Sequence, residues 1–175
     1  HLPEGGSWPS GLQGAAALER LRADGFEGLQ GGDPAACRES GMECAASGRV
    51  DRPGDARERV REFQEAGYQC ATLHAGSGFE EDAEMDALVA EVIETAADTG
   101  FPLFIETHRA TLTQDIWRTL QLVRRQPGIR FNGDFSHYYT GHEMTYGDIS
   151  AKFDRMEPIF ERVRFLHGRI GNSCC

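Results

Sequence analysis

Short apolar runs that alternate with amphipathic helical segments constrain the fold of this sequence most. Six runs have the character of β-strands, and segments with apolar residues three or four apart separate them. The strand-like runs are residues 26–30, 42–47, 68–74, 102–108, 129–135 and 163–167. Strands alternating with helices are typical of a parallel sheet that helices cover. The alternation therefore predicts an α/β fold.

Turn and capping residues set the boundaries of the predicted elements. Asp33-Pro34 offers a capping side chain followed by proline at the first helical position. Gly67 and Gly100 follow helical patterns, at the position where a left-handed C-terminal cap favours glycine. The pattern before Gly100, residues 80–99, has one apolar helical face, formed by Met85, Leu88, Val89, Val92, Ile93 and Ala96. Thr113 is predicted to cap the helix that contains Ile116, Trp117, Leu120 and Val123, and Gly48 is predicted to end the second strand.

Charge and composition argue against nucleic acid and membrane as partners of this protein. The formal net charge of −10 argues against a nucleic-acid partner, because an acidic surface repels phosphate backbones. No apolar run approaches the roughly 20 residues that a membrane span requires, and no basic-then-apolar leader is present. The five cysteines form no paired CxxC motif, which favours reduced thiols over a zinc knuckle. We therefore expect a cytoplasmic protein without a membrane contact.

Residues that can ligate a metal fall at or just after the carboxyl ends of four consecutive predicted strands. They are His74, Glu106, His108, Asp134, His137 and His167. In a parallel β/α barrel these ends meet at one mouth, where the chemistry takes place. Two carboxylates and an imidazole suit Mn²⁺, Mg²⁺, Co²⁺ or Zn²⁺. A structural ion pair for Glu106, a loop cap for Asp134 and structural hydrogen bonding for the histidines remain open alternatives.

Three ordered segments resemble the xylose-isomerase-like TIM barrel superfamily, the group of the sugar phosphate isomerases and epimerases. They are the Ile-Glu-Thr-His-Arg of 105–109, the Asp-Phe-Ser-His of 134–137 and the Phe-Leu-His-Gly-Arg of 165–169. The resemblance implies a (β/α)8 barrel in which the six runs are strands two to seven. Residues 1–175 would then be a single barrel domain truncated at both ends, lacking the first and last strands. The last metal ligand of the epimerases, a glutamate on strand eight, would lie beyond Cys175.

The same resemblance implies roles for individual residues. Glu106 corresponds to a residue that is both metal ligand and catalytic acid/base, and Asp134 and His167 correspond to the other ligands. His137 and Arg169 correspond to substrate-binding positions. His74 and His108 are added as substrate-binding candidates because they also lie at the strand ends. The implied activity is a divalent-metal-dependent isomerase or epimerase, with manganese as one candidate metal, in carbohydrate metabolism. It would act on a small sugar or polyol by proton transfer next to a carbonyl.

Other functions remain open at this point. A metal-dependent lyase of the inosose dehydratase kind would use the same ligands to expel a hydroxyl. A nuclease like endonuclease IV needs more ligands for three zinc ions, and the net charge disfavours it. A non-catalytic or truncated barrel fragment is a further alternative. Trp8, Phe79 and Tyr138 are candidates for an apolar wall of the pocket, and homo-oligomer formation is left open.

Overall fold

The computed structural model describes residues 11–169, which form a parallel six-stranded sheet with helices between the strands. The strands are β1 (Gly28–Gln30), β2 (Glu43–Val50), β3 (Cys70–Ala75), β4 (Leu103–Glu106), β5 (Phe131–Gly133) and β6 (Val163–Leu166). The helices are α1 (Ala15–Ala23), α2 (Pro34–Glu39), α3 (Asp55–Ala66), α4 (Asp82–Thr99), α5 (Ile116–Arg125), α6 (Ser136–Gly141) and α7 (Ile149–Phe160). The predicted α/β class with a parallel sheet is confirmed.

The sheet has the strand order and curvature of a barrel wall. Its strands lie in chain order, and every neighbouring pair is parallel. β1 and β6 form its two edges, yet Gln30 at the end of β1 lies 2.7 Å from His167, which follows β6. An open flat sheet would keep these edges apart by several strand spacings. The contact between the edges therefore means that the strands curve around a common mouth.

Helix ends follow the predicted capping residues at most positions. The Asp33 side chain accepts hydrogen bonds from the amides of Ala35 and Ala36, ahead of Pro34 in the first turn of α2. Gly67 and Gly100 both adopt the left-handed conformation at the ends of α3 and α4. Local sequence thus determines where α2 begins and where α3 and α4 end.

Most predicted strand ends differ from the observed ones by one or two residues, and two boundaries next to the site are wrong. β4 ends at Glu106 rather than at His108. Thr113 does not cap α5, because the Asp115 side chain accepts a hydrogen bond from the amide of Arg118 and takes that role. The hydroxyl of Thr113 instead donates to the carbonyl of Glu106, at 2.7 Å. A threonine before a helix is thus diverted to a tertiary contact that sequence does not reveal.

A third prediction is also wrong, because Gly48 does not end β2 but lies inside the strand, which continues to Val50. Its partner across the sheet is Leu73 of β3. A Cβ atom at Gly48 would lie 2.8 Å from Cζ of Phe63 on α3. Glycine is therefore required here by a close approach of the helix, not by a turn.

We expect Gly48→Ala to lower the free energy of unfolding by about 1–3 kcal/mol, the usual cost of overpacking a core. The ring of Phe63 cannot move freely, because it packs edge-on against Tyr68 and is stacked on Phe101. Urea unfolding followed by fluorescence measures the change. Gly141→Ala is the matched control, since a Cβ there meets no atom within 4 Å. Equal stability of the two variants would contradict the role given to Gly48.

The main core lies between the outer face of the sheet and the helices. α4 buries Met85, Leu88, Val89 and Val92 on the helical face that the sequence pattern predicts. These side chains pack against outward-facing residues of the strands, among them Leu73, Leu103 and Ile105. The inner face of the sheet is left for polar side chains at the mouth. Among the described helices, none has the length and apolar content to cross a membrane.

Candidate metal centre

Two buried carboxylates lie side by side at the mouth of the sheet. Glu106 is the last residue of β4 and Asp134 directly follows β5, the neighbouring strand. Their exposed fractions are 3 % and 0 %. A carboxylate buried to this degree costs free energy unless positive charge or hydrogen-bond donors face it. The site must therefore supply positive charge, hydrogen-bond donors or both to these carboxylates.

His167, directly after β6, supplies positive charge to both carboxylates. Its Nδ1 lies 3.5 Å from Oε1 of Glu106 and 3.8 Å from Oδ2 of Asp134. The carboxylates of Asp134 and Glu106 raise the pKa of His167 to about 9, so the imidazole is protonated at neutral pH. Burial opposes ionisation of both carboxyls. Contacts with His167, together with those of His74 at Glu106 and of Ser136 at Asp134, outweigh it and hold the pKa of each below its ordinary value.

Three more histidines form a row beside the carboxylates. The ring of His108 lies 4.2 Å from that of His74 and 4.0 Å from that of His137, centroid to centroid. His74 Nε2 is 3.5 Å from Oε2 of Glu106, and His137 Nε2 is 3.5 Å from Oδ2 of Asp134. Burial lowers the pKa of His108, and burial is also the main cause that lowers the pKa of His137 to about 4. These two imidazoles are therefore neutral at pH 7 and keep a nitrogen lone pair.

Several polar atoms at this site have no hydrogen-bond partner within residues 11–169. They include Asp134 Oδ2, His137 Nε2 and Asn132 Oδ1, all buried. Arg169 Nη2 lies 2.9 Å from Asp134 Oδ2, but the pair lacks hydrogen-bond alignment and the Arg169 side chain is half exposed. Buried acceptors without a partner are rare in folded proteins, and a cation bound among them would satisfy them.

The donor set fits a divalent cation. Two groups of residues bring one ligand atom each to within 4.8 Å of one another. They are His74, Glu106 and His108, and Glu106, Asp134 and His137. His167 adds a nitrogen within 4 Å of both carboxylates. Carboxylate oxygens with imidazole nitrogens suit Mg²⁺, Mn²⁺, Co²⁺ or Zn²⁺. The ligand and substrate-binding roles assigned from the sequence stay predictions, but the structure brings all of those residues to one mouth.

Sequence reasoning missed two residues of the site. Asn132 of β5 is fully buried and donates a hydrogen bond from Nδ2 to Oε2 of Glu106, at 3.0 Å. It lies two residues before Asp134, on the same face of the strand, and an amide inside an apolar strand is a signal that could have identified it. Gln30 orients His167 and donates to Thr72 Oγ1 at 2.6 Å, but an exposed glutamine gives no comparable signal.

The candidate wall residues have different outcomes. Tyr138 is not a wall residue, because it is fully buried in the core and donates a hydrogen bond to Thr119. Trp8 lies outside the described residues. Phe79 is 91 % exposed in the loop between β3 and α4, on the same side of the sheet as the mouth. Only Phe79 of these three is thus seen in a position open to a ligand.

The raised pKa of His167 predicts a pH dependence of stability for the metal-free chain. The pKa rises from an ordinary 6.5 to about 9 on folding. The protonated imidazole therefore stabilises the fold fully below pH 6.5, and this contribution is lost as pH rises through 9. We expect the urea midpoint of chelator-treated protein to fall over that interval more steeply in the wild type than in His167→Gln. Parallel pH profiles for the two proteins would contradict the assigned contacts.

Comparison with known proteins places the fold. No protein-family model and no curated protein matches the chain. It is similar to the probable 3-DHS dehydratase AsbF, involved in petrobactin synthesis, from Bacillus anthracis, with a TM-score of 0.66 and 17 % identity. It is also similar to a xylose isomerase-like TIM barrel protein from Mycobacterium smegmatis in complex with magnesium, with a TM-score of 0.57 and 14 % identity. The matches cover 93 % and 95 % of this chain and 70 % of each solved chain.

The chain therefore has the fold of the xylose-isomerase-like TIM barrels, and the resemblance found in the sequence is confirmed at the level of the fold. The six described strands correspond to part of such a barrel. Structural matches at such low sequence identity establish the fold alone, so the activity is argued from the site.

Proposed function

We propose that this protein is a divalent-metal-dependent enzyme that moves a proton next to a carbonyl in a small sugar or polyol, as isomerases and epimerases do. One observation carries the proposal. Glu106 and Asp134, both buried, converge with His167 at the carboxyl ends of parallel strands, and Oδ2 of Asp134 accepts no hydrogen bond from residues 11–169. In barrels of parallel strands this end carries the active site.

Glu106, Asp134 and His167 are the residues that would hold the cation. The chemistry that a divalent cation would supply there is Lewis acidity toward a carbonyl and its adjacent hydroxyl, which would lower the cost of removing the neighbouring proton. His167 must lose its proton to act as a ligand, since only neutral imidazole binds metal. Gln30, whose Oε1 lies 2.7 Å from Nε2 of His167, would hold the ring from that nitrogen.

The remaining side chains of the mouth bind and orient the substrate. Glu106 is the proposed base that takes the proton from carbon, and Asn132 fixes its carboxylate by a hydrogen bond. The imidazoles of His108 and His137, neutral at pH 7, can accept hydrogen bonds from substrate hydroxyls. Arg169, half exposed beside Asp134, can donate to substrate oxygens from the opening of the mouth.

A second candidate is a dehydratase, which removes the same proton and then expels a hydroxyl from the next carbon. The similarity to the probable 3-DHS dehydratase is the reason to test it, because that protein's description names this kind of reaction. Both candidates begin with the same proton abstraction. The site described above serves either outcome.

One experiment tests both candidates. Metal-loaded protein is incubated in deuterated water with ketoses, aldoses, cyclic inososes and 3-DHS, and the products are followed by NMR. Deuterium at the carbon next to the carbonyl supports the shared first step. An epimer of the substrate then identifies an epimerase, interconversion of aldose and ketose identifies an isomerase, and a new carbon–carbon double bond identifies a dehydratase. A metal-loaded protein that exchanges no proton in any of these compounds would contradict the proposed function.

A further inference from the structure

Two buried threonines hold the backbone that carries Glu106 and His108. The Oγ1 of Thr113 donates a hydrogen bond to the carbonyl of Glu106 at 2.7 Å and accepts one from the amide of His108 at 3.2 Å. Thr113 has no exposed surface. A single hydroxyl thus ties the chain together on both sides of Thr107, immediately after β4 has ended.

Thr111 extends this contact to the other side of His108. Its Oγ1 donates to the carbonyl of His108 at 2.6 Å and lies 3.0 Å from Oγ1 of Thr113. Between His108 and Thr111, Ala110 has a φ of 56°, a left-handed conformation that is unfavourable for a residue with a Cβ atom. Such a conformation persists only where surrounding contacts impose it. The threonines therefore hold the turn of residues 108–111 against its own preference.

These backbone contacts determine where the side chains of Glu106 and His108 lie. The amide of Thr107 still bonds to the carbonyl of Asn132 at 3.0 Å, so residues 106–108 stay extended beyond the last residue of β4. In extended backbone, alternate side chains point to the same face. Glu106 and His108 therefore both face the mouth, one toward His167 and the other between two imidazoles.

We propose that Thr113 is a positioning residue for the metal centre, acting through the backbone of Glu106 and His108. The claim rests on the proposed function for its catalytic consequence. Its structural part does not, because the contacts of Thr113 exist in the metal-free chain. Hydrogen bonds that orient ligands from behind typically change metal affinity by about 10- to 100-fold when removed.

Three variants separate positioning from packing. Thr113→Val keeps the shape of the side chain and removes the hydroxyl, whereas Thr113→Ser keeps the hydroxyl. Thr95→Val is the matched control, because Thr95 is also fully buried but its Oγ1 has no hydrogen-bond partner within residues 11–169. The dissociation constant for Mn²⁺ is measured by calorimetry for each variant. The rate of proton exchange at saturating Mn²⁺ is measured alongside.

We expect Thr113→Val to weaken Mn²⁺ binding about 10- to 100-fold, Thr113→Ser to recover most of it, and Thr95→Val to match the wild type. Wild-type affinity in folded Thr113→Val, or equal losses in the Ser and Val variants, would overturn the proposal. If Thr113→Val fails to fold, Thr111→Val is the second variant. It keeps the Glu106 contact and should lose affinity by a smaller factor, so wild-type affinity there would overturn the proposal.

Failure of the proposed function gives a different result. In that case the wild type itself binds no Mn²⁺, and the positioning claim is judged from crystal structures of metal-free wild type and Thr113→Val. Displacement of the Glu106 carboxylate or the His108 ring in the variant, with both in place in Thr113→Ser, supports the claim. Unchanged side chains in Thr113→Val overturn it.

Discussion

Replacing Asp134 with asparagine is expected to weaken Mn²⁺ binding at least about 100-fold, more than the loss of an outer-shell contact usually costs. The substitution keeps the shape of the side chain and removes the negative charge from a fully buried position. Oδ2 of Asp134 accepts no hydrogen bond from the described residues, and its nearest cationic partner is the half-exposed Arg169 at 2.9 Å, whose place beside the carboxylate a bound cation can take. Isothermal titration calorimetry with chelator-treated protein measures the change.

Asp98→Asn is the matched control for this prediction. Asp98 is an exposed carboxylate near the end of α4 that pairs with Arg57 at 2.8 Å. The Asp98→Asn substitution removes the same charge from the protein, at a position away from the strand ends that form the mouth. Affinity in Asp98→Asn should equal that of the wild type. An Asp134→Asn variant that binds Mn²⁺ as tightly as this control would show that Asp134 is not a ligand.

The second large effect is expected for Glu106→Gln, which should lower the rate of proton exchange about 10²- to 10⁴-fold at saturating metal. Glutamine can still accept the hydrogen bond that Asn132 donates to Oε2, so the local fold should survive. It cannot take a proton from carbon, and it no longer offers a charge to His167 or to a cation. Metal affinity should therefore fall as well.

Measuring exchange over a range of Mn²⁺ concentrations separates the two effects of Glu106→Gln. Loss of affinity alone would be recovered at high metal, whereas loss of the base would not. Glu62→Gln, at an exposed residue paired with Arg59, serves as the control and should retain the wild-type rate. A Glu106→Gln variant that regains the full rate at high metal would make Glu106 a ligand without a role in proton transfer.

Much of the fold could be predicted from the sequence, because its signals are local. Periodic apolar residues identify α4, and Gly67 and Gly100 mark helix ends through backbone conformations that favour glycine. Gly48 marks the limit of such local signals. Glycine there meets a ring from α3 rather than a turn, and only the packed structure distinguishes these two uses of glycine.

The site could be predicted in outline for a related reason. Parallel strands bring their carboxyl ends to one edge, so residues at those ends converge however far apart they lie in the chain. This convergence brings Glu106, Asp134 and His167 together, and Nδ1 of His167 lies within 4 Å of both carboxylates. The position of Gln30 does not follow in the same way, because it reaches the site only through the curvature that brings β1 and β6 close.

Thr113 shows the same limit at the level of one hydroxyl. Its position before α5 predicts a helix cap, and a cap is a local contact. The structure directs that hydroxyl to the Glu106 carbonyl seven residues earlier. Which of two available partners a threonine chooses depends on how the loop after β4 packs, and the sequence does not carry that information.

Anomalous X-ray diffraction from crystals soaked in Mn²⁺ tests the central claim most directly, since it locates the ion without assuming an activity. We predict one strong peak in the mouth, coordinated by carboxylate oxygens of Glu106 and Asp134 and a ring nitrogen of His167. The same peak should be absent from crystals of Asp134→Asn. No peak in the wild type, or peaks only at exposed carboxylates elsewhere on the surface, would contradict a metal centre at this site.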